Sequence, residues 1–248
     1  MPRTDRRFQL MRRLREDGRA SVATLARDLG VTESTIRRDL AHLATDGDLV
    51  RTYGGAALAS PVPGPRPARA AAAKQAIGAA AAELVEDGQT IAISSGSTTL
   101  ELARRIVDRR LTVITNALDV AAVLMDRDGI ELVILGGVVR PRMHSMLGHL
   151  AELALRELRA DTLFMGIGAV DPDHGLMNDS IPEIITDRAL RRSARTCVVL
   201  ADSTKFAGVS PAFVFGLDMV DTIVTDAGVD PADLVALQAR GVRVVVAA

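Results

Sequence analysis

Short loops of glycine and small hydroxyl residues follow one apolar run after another in this sequence, and they are where chemistry could be done. The clearest is Ser94–Thr99, "SSGSTT", which ends the run "TIAI" and leads into a helical pattern. Backbone N–H groups of such a loop can approach an anion closely, because glycine leaves no side chain in the way. Comparable residues follow other apolar runs at Thr115-Asn116, Gly136-Gly137, Gly166–Gly168 and Asp202–Lys205. Each loop alone reads equally well as a turn or a helix cap. Five together, at the carboxyl ends of strands in an open α/β sheet, point to a polar pocket along one sheet edge. Lys205 would supply a cation there. Its type is informative: of 30 Lys and Arg residues only Lys74 and Lys205 are lysine. A chain so biased toward arginine keeps lysine where a compact ammonium is wanted and a planar guanidinium would not fit.

A second constellation lies near the N-terminus. In the helical pattern 32–44, Ile36, Leu40 and Leu43 mark a buried stripe, and the opposite face presents Glu33, Ser34, Arg37 and Arg38. Arginine can read guanine edges or grip phosphate, and Ser34 and Thr35 at the helix start can donate to either. The competing reading is a solvated helix whose arginines pair with Glu33 and Asp39. Context decides for double-stranded DNA. A capped helix and a tight Gly30-Val31 turn precede the pattern, and Arg51 sits in a ribbon that follows it.

The elements that must position these residues fall into two groups. Residues 4–17 pattern as a helix, Ser21 caps "VATLARDL", Thr32 caps the third helix, and "DLVRTYGGAAL" reads as a hairpin. That order is a winged helix–turn–helix, assigned to residues 1–57. Residues 58–73 hold four of the ten prolines and read as a linker. From Lys74 to the end, assigned as 74–248, helical patterns alternate with Val/Ile/Leu runs. Near-continuous apolar strands are expected when helices cover both faces, so this half is α/β with a mostly parallel sheet.

Composition narrows the classes. The chain is 48% hydrophobic and 25% charged, the balance of a soluble globular protein. No apolar run approaches the roughly 20 residues that span a bilayer, so no membrane partner is expected. The basic N-terminus lacks an apolar stretch with a cleavage site, so no signal peptide is expected either. The single cysteine, Cys197, lies in a buried strand pattern and fits a reducing, cytoplasmic setting better than a nucleophile. His42, His144, His149 and His174 lack zinc-ligand spacing, so no metal and no cofactor are expected. Residues 1–55 carry 11 arginines against 8 carboxylates, while the remainder is acidic, a division that suggests nucleic acid for the small basic head.

The segment "TIRRDL", with the pattern LxxxGxLxRxxGGA running from Leu43 to Ala56, resembles the DNA-binding domain of DeoR-type transcriptional regulators. The resemblance continues through "GSTT", "VITNALDVA", "LGGVVR", "DTLFMGIGAVDPDHGL" and "VVLADSTKF". It implies an effector domain similar in fold to ribose-5-phosphate isomerase and the coenzyme A transferases, sensing phosphorylated sugars or related anionic metabolites. It further implies a phosphate-side loop at Gly96, Ser97, Thr98 and Thr99, with Asn116, Gly136, Gly137, Arg140 and Lys205 in the pocket, and Glu183 is retained. Departures are Tyr53 before the double glycine, Ser94 where the family usually has Asp, and Asp187 where it usually has Lys. A serine offers one oxygen and no charge to a sugar, so Ser94 bears on which effector is taken. Ser94, Glu183, Asp202 and Lys205 complete the candidate effector set. The expected protein is a repressor of a carbohydrate catabolic operon, a homodimer or homotetramer, and not an enzyme. A regulator of a non-sugar ligand and an isomerase-like enzyme are the alternatives.

Overall fold

The structure is a computed structural model that describes residues 10, 19–45, 49–52, 55–58, 68–141, 143–206 and 210–247. The chain divides into two compact units, Met1–Ala68 and Arg69–Ala248.

In the first unit, strand β1 (Arg19–Ser21) runs into helix α1 (Val22–Leu29), followed by α2 (Glu33–Thr45) and the strands β2 (Leu49–Thr52) and β3 (Gly55–Leu58). Ser21 caps α1 as its spacing predicts, its hydroxyl accepting from the Thr24 amide at 3.1 Å. Gly30 ends the helix in the left-handed region, and the Val31 amide donates back to the Ala26 carbonyl at 3.0 Å. Thr32 Oγ1 then accepts from the Thr35 amide at 3.4 Å, starting α2. Val22, Leu25, Ala26, Ile36, Leu40 and Leu10 are each buried, while Leu29 is only half-buried. The wing hairpin gains a third strand that sequence patterning misses: β1 pairs antiparallel with β3, giving the order β1-β3-β2. The helix expected at 4–17 lies outside the described residues apart from Leu10, as does the Leu43 side chain.

In the second unit, α3 (Ala68–Ala82) begins six residues before Lys74, so the linker expected through residue 73 is helical from Ala68 onward. Alanine has the highest helix propensity, and it carries the helix back to the last proline of the stretch. The strands β4 (Thr90–Ile93), β5 (Leu111–Thr115), β6 (Ile130–Ile134), β9 (Ala160–Gly166), β12 (Ala194–Leu200), β14 (Thr222–Asp226) and β15 (Arg243–Ala247) form one sheet. Its order is β15-β14-β12-β9-β4-β5-β6 and every pairing is parallel. The intervening helices are α4 (Ser97–Arg105), α5 (Leu118–Leu124), α6 (His149–Glu157), α7 (Ile184–Ser193) and α8 (Pro231–Ala239). Two antiparallel pieces are absent from the sequence reading: a hairpin of β7 (Val138–Arg140) and β8 (Ser145–Leu147), and a small sheet β10-β11-β13 (Ala169–Asp171, Gly175–Asn178 and Ala212–Phe215).

Each strand divides its side chains between two cores. Ile91, Ile93, Phe164 and Val198 pack with α3, α4 and α5 on one face. Ala92, Leu163, Met165 and Cys197 pack with α6 and α7 on the other. The consequence for the site is topological. From β4 the chain moves outward through α4 to β5, and from β9 it moves the opposite way through α7 to β12. Right-handed crossovers in opposite directions put α4 and α7 on opposite faces. The chain therefore leaves β4 and β9 toward opposite faces, and in an open α/β sheet such a switch point is where a ligand crevice forms.

Candidate functional site

That crevice is bordered by the loop the sequence singles out. Ser94 continues the ladder past β4, its amide donating to the Phe164 carbonyl at 3.0 Å. Its hydroxyl oxygen accepts from the Gly166 amide at 3.0 Å and donates to the Ser95 carbonyl at 3.4 Å. The residue is buried, so Ser94 stitches the two diverging loops together rather than presenting a free hydroxyl. Gly96 follows with φ 148° and ψ 157°, a conformation open essentially to glycine alone. Thr99 Oγ1 donates back to the Gly96 carbonyl at 2.8 Å and is itself fully buried. The N-cap Gly96 has no side chain to cap α4, so the amides of its first turn, around Ser97 and Thr98, lack that partner and carry the positive end of the helix dipole. Such a turn can hold an anion.

A second polar group gathers around Arg140. The β7–β8 hairpin folds back onto the end of β5, where the Met146 amide donates to the Asn116 carbonyl and Asn116 Nδ2 donates to the Met146 carbonyl at 3.1 Å. Asn116 Oδ1 is buried without a hydrogen-bond partner among the described residues. The hairpin delivers Arg140 to Glu183, with Nη1 2.7 Å from Oε1, and to Ser180 Oγ at 2.6 Å. Ser145 Oγ donates to the same Glu183 oxygen at 3.2 Å. One turn further along, Asp187 Oδ2 accepts from Asn178 Nδ2 at 2.6 Å, and Asn178 Oδ1 accepts from the Gly168 amide at 2.8 Å. Burial, with the Glu183 charge adding to it, pushes the Asp187 carboxyl up to about 7 against the pull of the Asn178 bond. Ser145, Ser180 and Asn178 are missed by sequence reasoning, because lone polar residues in short irregular strands carry no periodic signal.

The third group follows β12. Asp202 Oδ2 lies 3.6 Å from Lys74 Nζ on α3, and its other oxygen accepts from the Thr204 amide and hydroxyl. The Ser203 amide and hydroxyl donate to Asp226 at 2.6 and 3.0 Å. Burial opposes ionisation of Asp226, but these bonds and one from the Gly228 amide outweigh it and hold its carboxyl below the usual range. Lys205 is half-buried, and among the described residues no carboxylate pairs with its ammonium. Gly136 is exposed at the entry to the β7–β8 hairpin, beside Gly137.

Elsewhere, Cys197 is fully buried in β12, and burial above all pushes its thiol up to about 12, which suppresses the thiolate. His144 and His174 are exposed and face Asp119 and Asp171 at 2.8 and 3.0 Å. Among the described residues no His/Cys/Asp/Glu group could hold a metal ion, and no helix is long and apolar enough to cross a membrane.

On α2, Ser34, Arg37 and Arg38 are exposed and Thr35 is half-buried. Thr32 Oγ1 lies 3.0 Å from both the Ser34 and the Thr35 hydroxyl oxygens. Arg37 Nη2 is 2.9 Å from Glu33 Oε2, while Arg38 pairs with no carboxylate among the described residues. Arg51 lies in β2 opposite Ala56, its side chain outside the described residues.

Residues 6–62 match the family model of the DeoR-like helix-turn-helix domain, and residues 69–227 match that of the DeoR C terminal sensor domain. The chain is 34% identical to a putative aga operon transcriptional repressor of Escherichia coli O157:H7, over 98% of this chain and 93% of the relative. It is 30% identical to the glycerol-3-phosphate regulon repressor of Escherichia coli strain K12, over 92% of each. Among solved structures, ribose 5-phosphate isomerase A of Methanocaldococcus jannaschii overlays with a TM-score of 0.40 at 20% identity, over 54% of this chain and 53% of that one. A winged reader with exposed arginines on α2, joined to a parallel-sheet sensor and matched across both halves, makes this chain a member of the DeoR family of transcriptional regulators.

Proposed function

We propose that the protein represses a carbohydrate catabolic operon and leaves its operator when a phosphorylated sugar, or a related anionic metabolite, occupies the crevice beyond β4 and β9. The observation that carries this reading is the uncapped start of α4 at the point where the two strand-end loops diverge. Gly96, Ser97, Thr98 and Thr99 would take the phosphate, with Lys205 as counter-charge. Asn116, Arg140 and Glu183 would face the sugar hydroxyls; the partnerless Asn116 Oδ1 is an acceptor suited to one of them. Ser94 and Asp202 act from behind, one bonded to Gly166 and the other to Lys74.

The site binds without turning its ligand over. Its serine is engaged by a backbone amide, and its carboxylates Glu183 and Asp202 by Arg140 and Lys74. The protein acts in the cytoplasm as a homodimer or homotetramer, since one small reader has limited affinity and paired half-sites multiply it.

A thermal-shift and calorimetric series with glucose 6-phosphate, glycerol 3-phosphate, ribose 5-phosphate and the unphosphorylated sugars tests the reading. A phosphorylated member at about 100 times its Kd adds roughly 2.7 kcal/mol of stability, while its unphosphorylated partner adds nothing comparable. Equal stabilisation by both, or turnover of ribose 5-phosphate, overturns it.

A further inference from the structure

Helix α3 touches the proposed effector site from two directions. Lys74 and Gly78 stand one turn apart on it and so share a face. Lys74 reaches the β12 end, its Nζ 3.6 Å from Asp202 Oδ2, with the two side chains only 13% and 5% exposed. Gly78 lies against α4 so closely that a Cβ placed on it would fall 2.7 Å from Glu101 Cβ and 2.9 Å from the Leu102 amide nitrogen. Between these contacts Ile77 is fully buried. Thus one helix is in backbone contact with the element whose start would hold the anion and ion-paired to the turn that carries Lys205. The same helix begins at Ala68, directly after the proline-rich stretch that leads from the DNA reader.

We propose that α3 transmits effector occupancy to the linker, with the Lys74–Asp202 pair as the connection. The inference rests on the effector-site reading above. An anion held between the first turn of α4 and Lys205 draws the 202–205 turn toward α4, and a helix fixed to both must respond. An α-helix is stiff along its axis, so a displacement at Lys74 is carried about 9 Å to its first residue. The ion pair is buried and therefore little screened by salt. Lys74 is accordingly a positioning residue: it need not touch the ligand for the signal to depend on it.

Hydrogen–deuterium exchange on the full chain, with and without glucose 6-phosphate, glycerol 3-phosphate or inorganic phosphate, tests this directly. In the unaltered protein a bound probe slows exchange at residues 97–99 and 202–205. It also changes exchange in the first hydrogen-bonded turns of α3 by at least about twofold. Lys74→Met keeps the first two effects and loses the third. Lys74→Gln is carried in parallel so that a folding defect of one variant does not decide the outcome. An α3 response in ligand-bound Lys74→Met and Lys74→Gln equal to that of the unaltered chain overturns the relay while leaving the effector site standing. If no probe protects residues 97–99, the effector-site reading fails and the relay fails with it.

Discussion

At the scale of single residues, partners far away in sequence decide what a side chain does. Asp187 shows the energetic side of this. It lies four residues after Glu183, whose charge opposes its ionisation, and is 7% exposed. Its carboxyl is raised from 3.8 to about 7. Between those values the folded chain keeps a proton that the unfolded chain has lost, so stability falls as pH rises through that window. Asp187→Asn keeps an oxygen for the Asn178 bond and removes the titration. Urea unfolding from about pH 5 to about pH 8 should show the unaltered chain losing roughly 3 kcal/mol more than the variant. Parallel pH profiles would show that Asp187 is ionised in the fold. The sequence discloses Asp187 as an unexpected charge but not its environment. Ser94 is similar: its type raises the question of effector choice, and its buried bond to Gly166, 72 residues on, answers that it joins two loops. Lys74 stands out by its rarity, yet its partner Asp202 is visible only in the folded chain.

Elements were legible where the pattern is long and regular. The seven parallel strands are mostly apolar runs, and their alternation with helical patterns from Lys74 onward is readable in the sequence. The hairpin at 138–147 and the sheet built from 169–178 and 212–215 are not legible because their strands have only three or four residues, too few to show a period. They supply Arg140, Ser145 and Asn178, so the polar cluster around Arg140 is the harder half of the site to foresee. Helix packing carries its own prediction at Gly78. Alanine is favoured over glycine inside a helix by about 1 kcal/mol. Against this, the added carbon meets the Glu101 carbonyl carbon at 2.8 Å and the Leu102 nitrogen at 2.9 Å, backbone atoms that cannot swing away. Overpacking of this kind costs about 1–3 kcal/mol, so the clash outweighs the propensity. Gly78→Ala is expected to lose up to about 2 kcal/mol in urea unfolding. A gain in stability would mean that α3 and α4 are not held in backbone contact.

For the molecule as a whole the open quantity is how many readers grip one operator. The exposed arginines of α2 differ in their starting state. Arg37 must trade its Glu33 partner for DNA, whereas Arg38 has no such partner among the described residues. An exposed pair of this type is worth only about 0.3–0.5 kcal/mol, so both can contact DNA, but Arg38 does so without exchange. Each phosphate contact contributes about 0.9 to the slope of log K against log salt. If Arg38 grips phosphate, Arg38→Ala in a one-headed complex flattens that slope by about 0.9, and in a dimer on two half-sites by about 1.8. Fluorescence anisotropy on the DNA upstream of the protein's own coding region, across a salt series, reads this difference. Light scattering on the free protein gives its mass independently. The expectation is a slope change near 1.8, an affinity loss of at least about tenfold, and an unchanged mass and melting temperature. A change near 0.9 with a monomeric mass would show a single reader acting alone. An unchanged slope with lost affinity would instead move Arg38 from the phosphate backbone to a base edge.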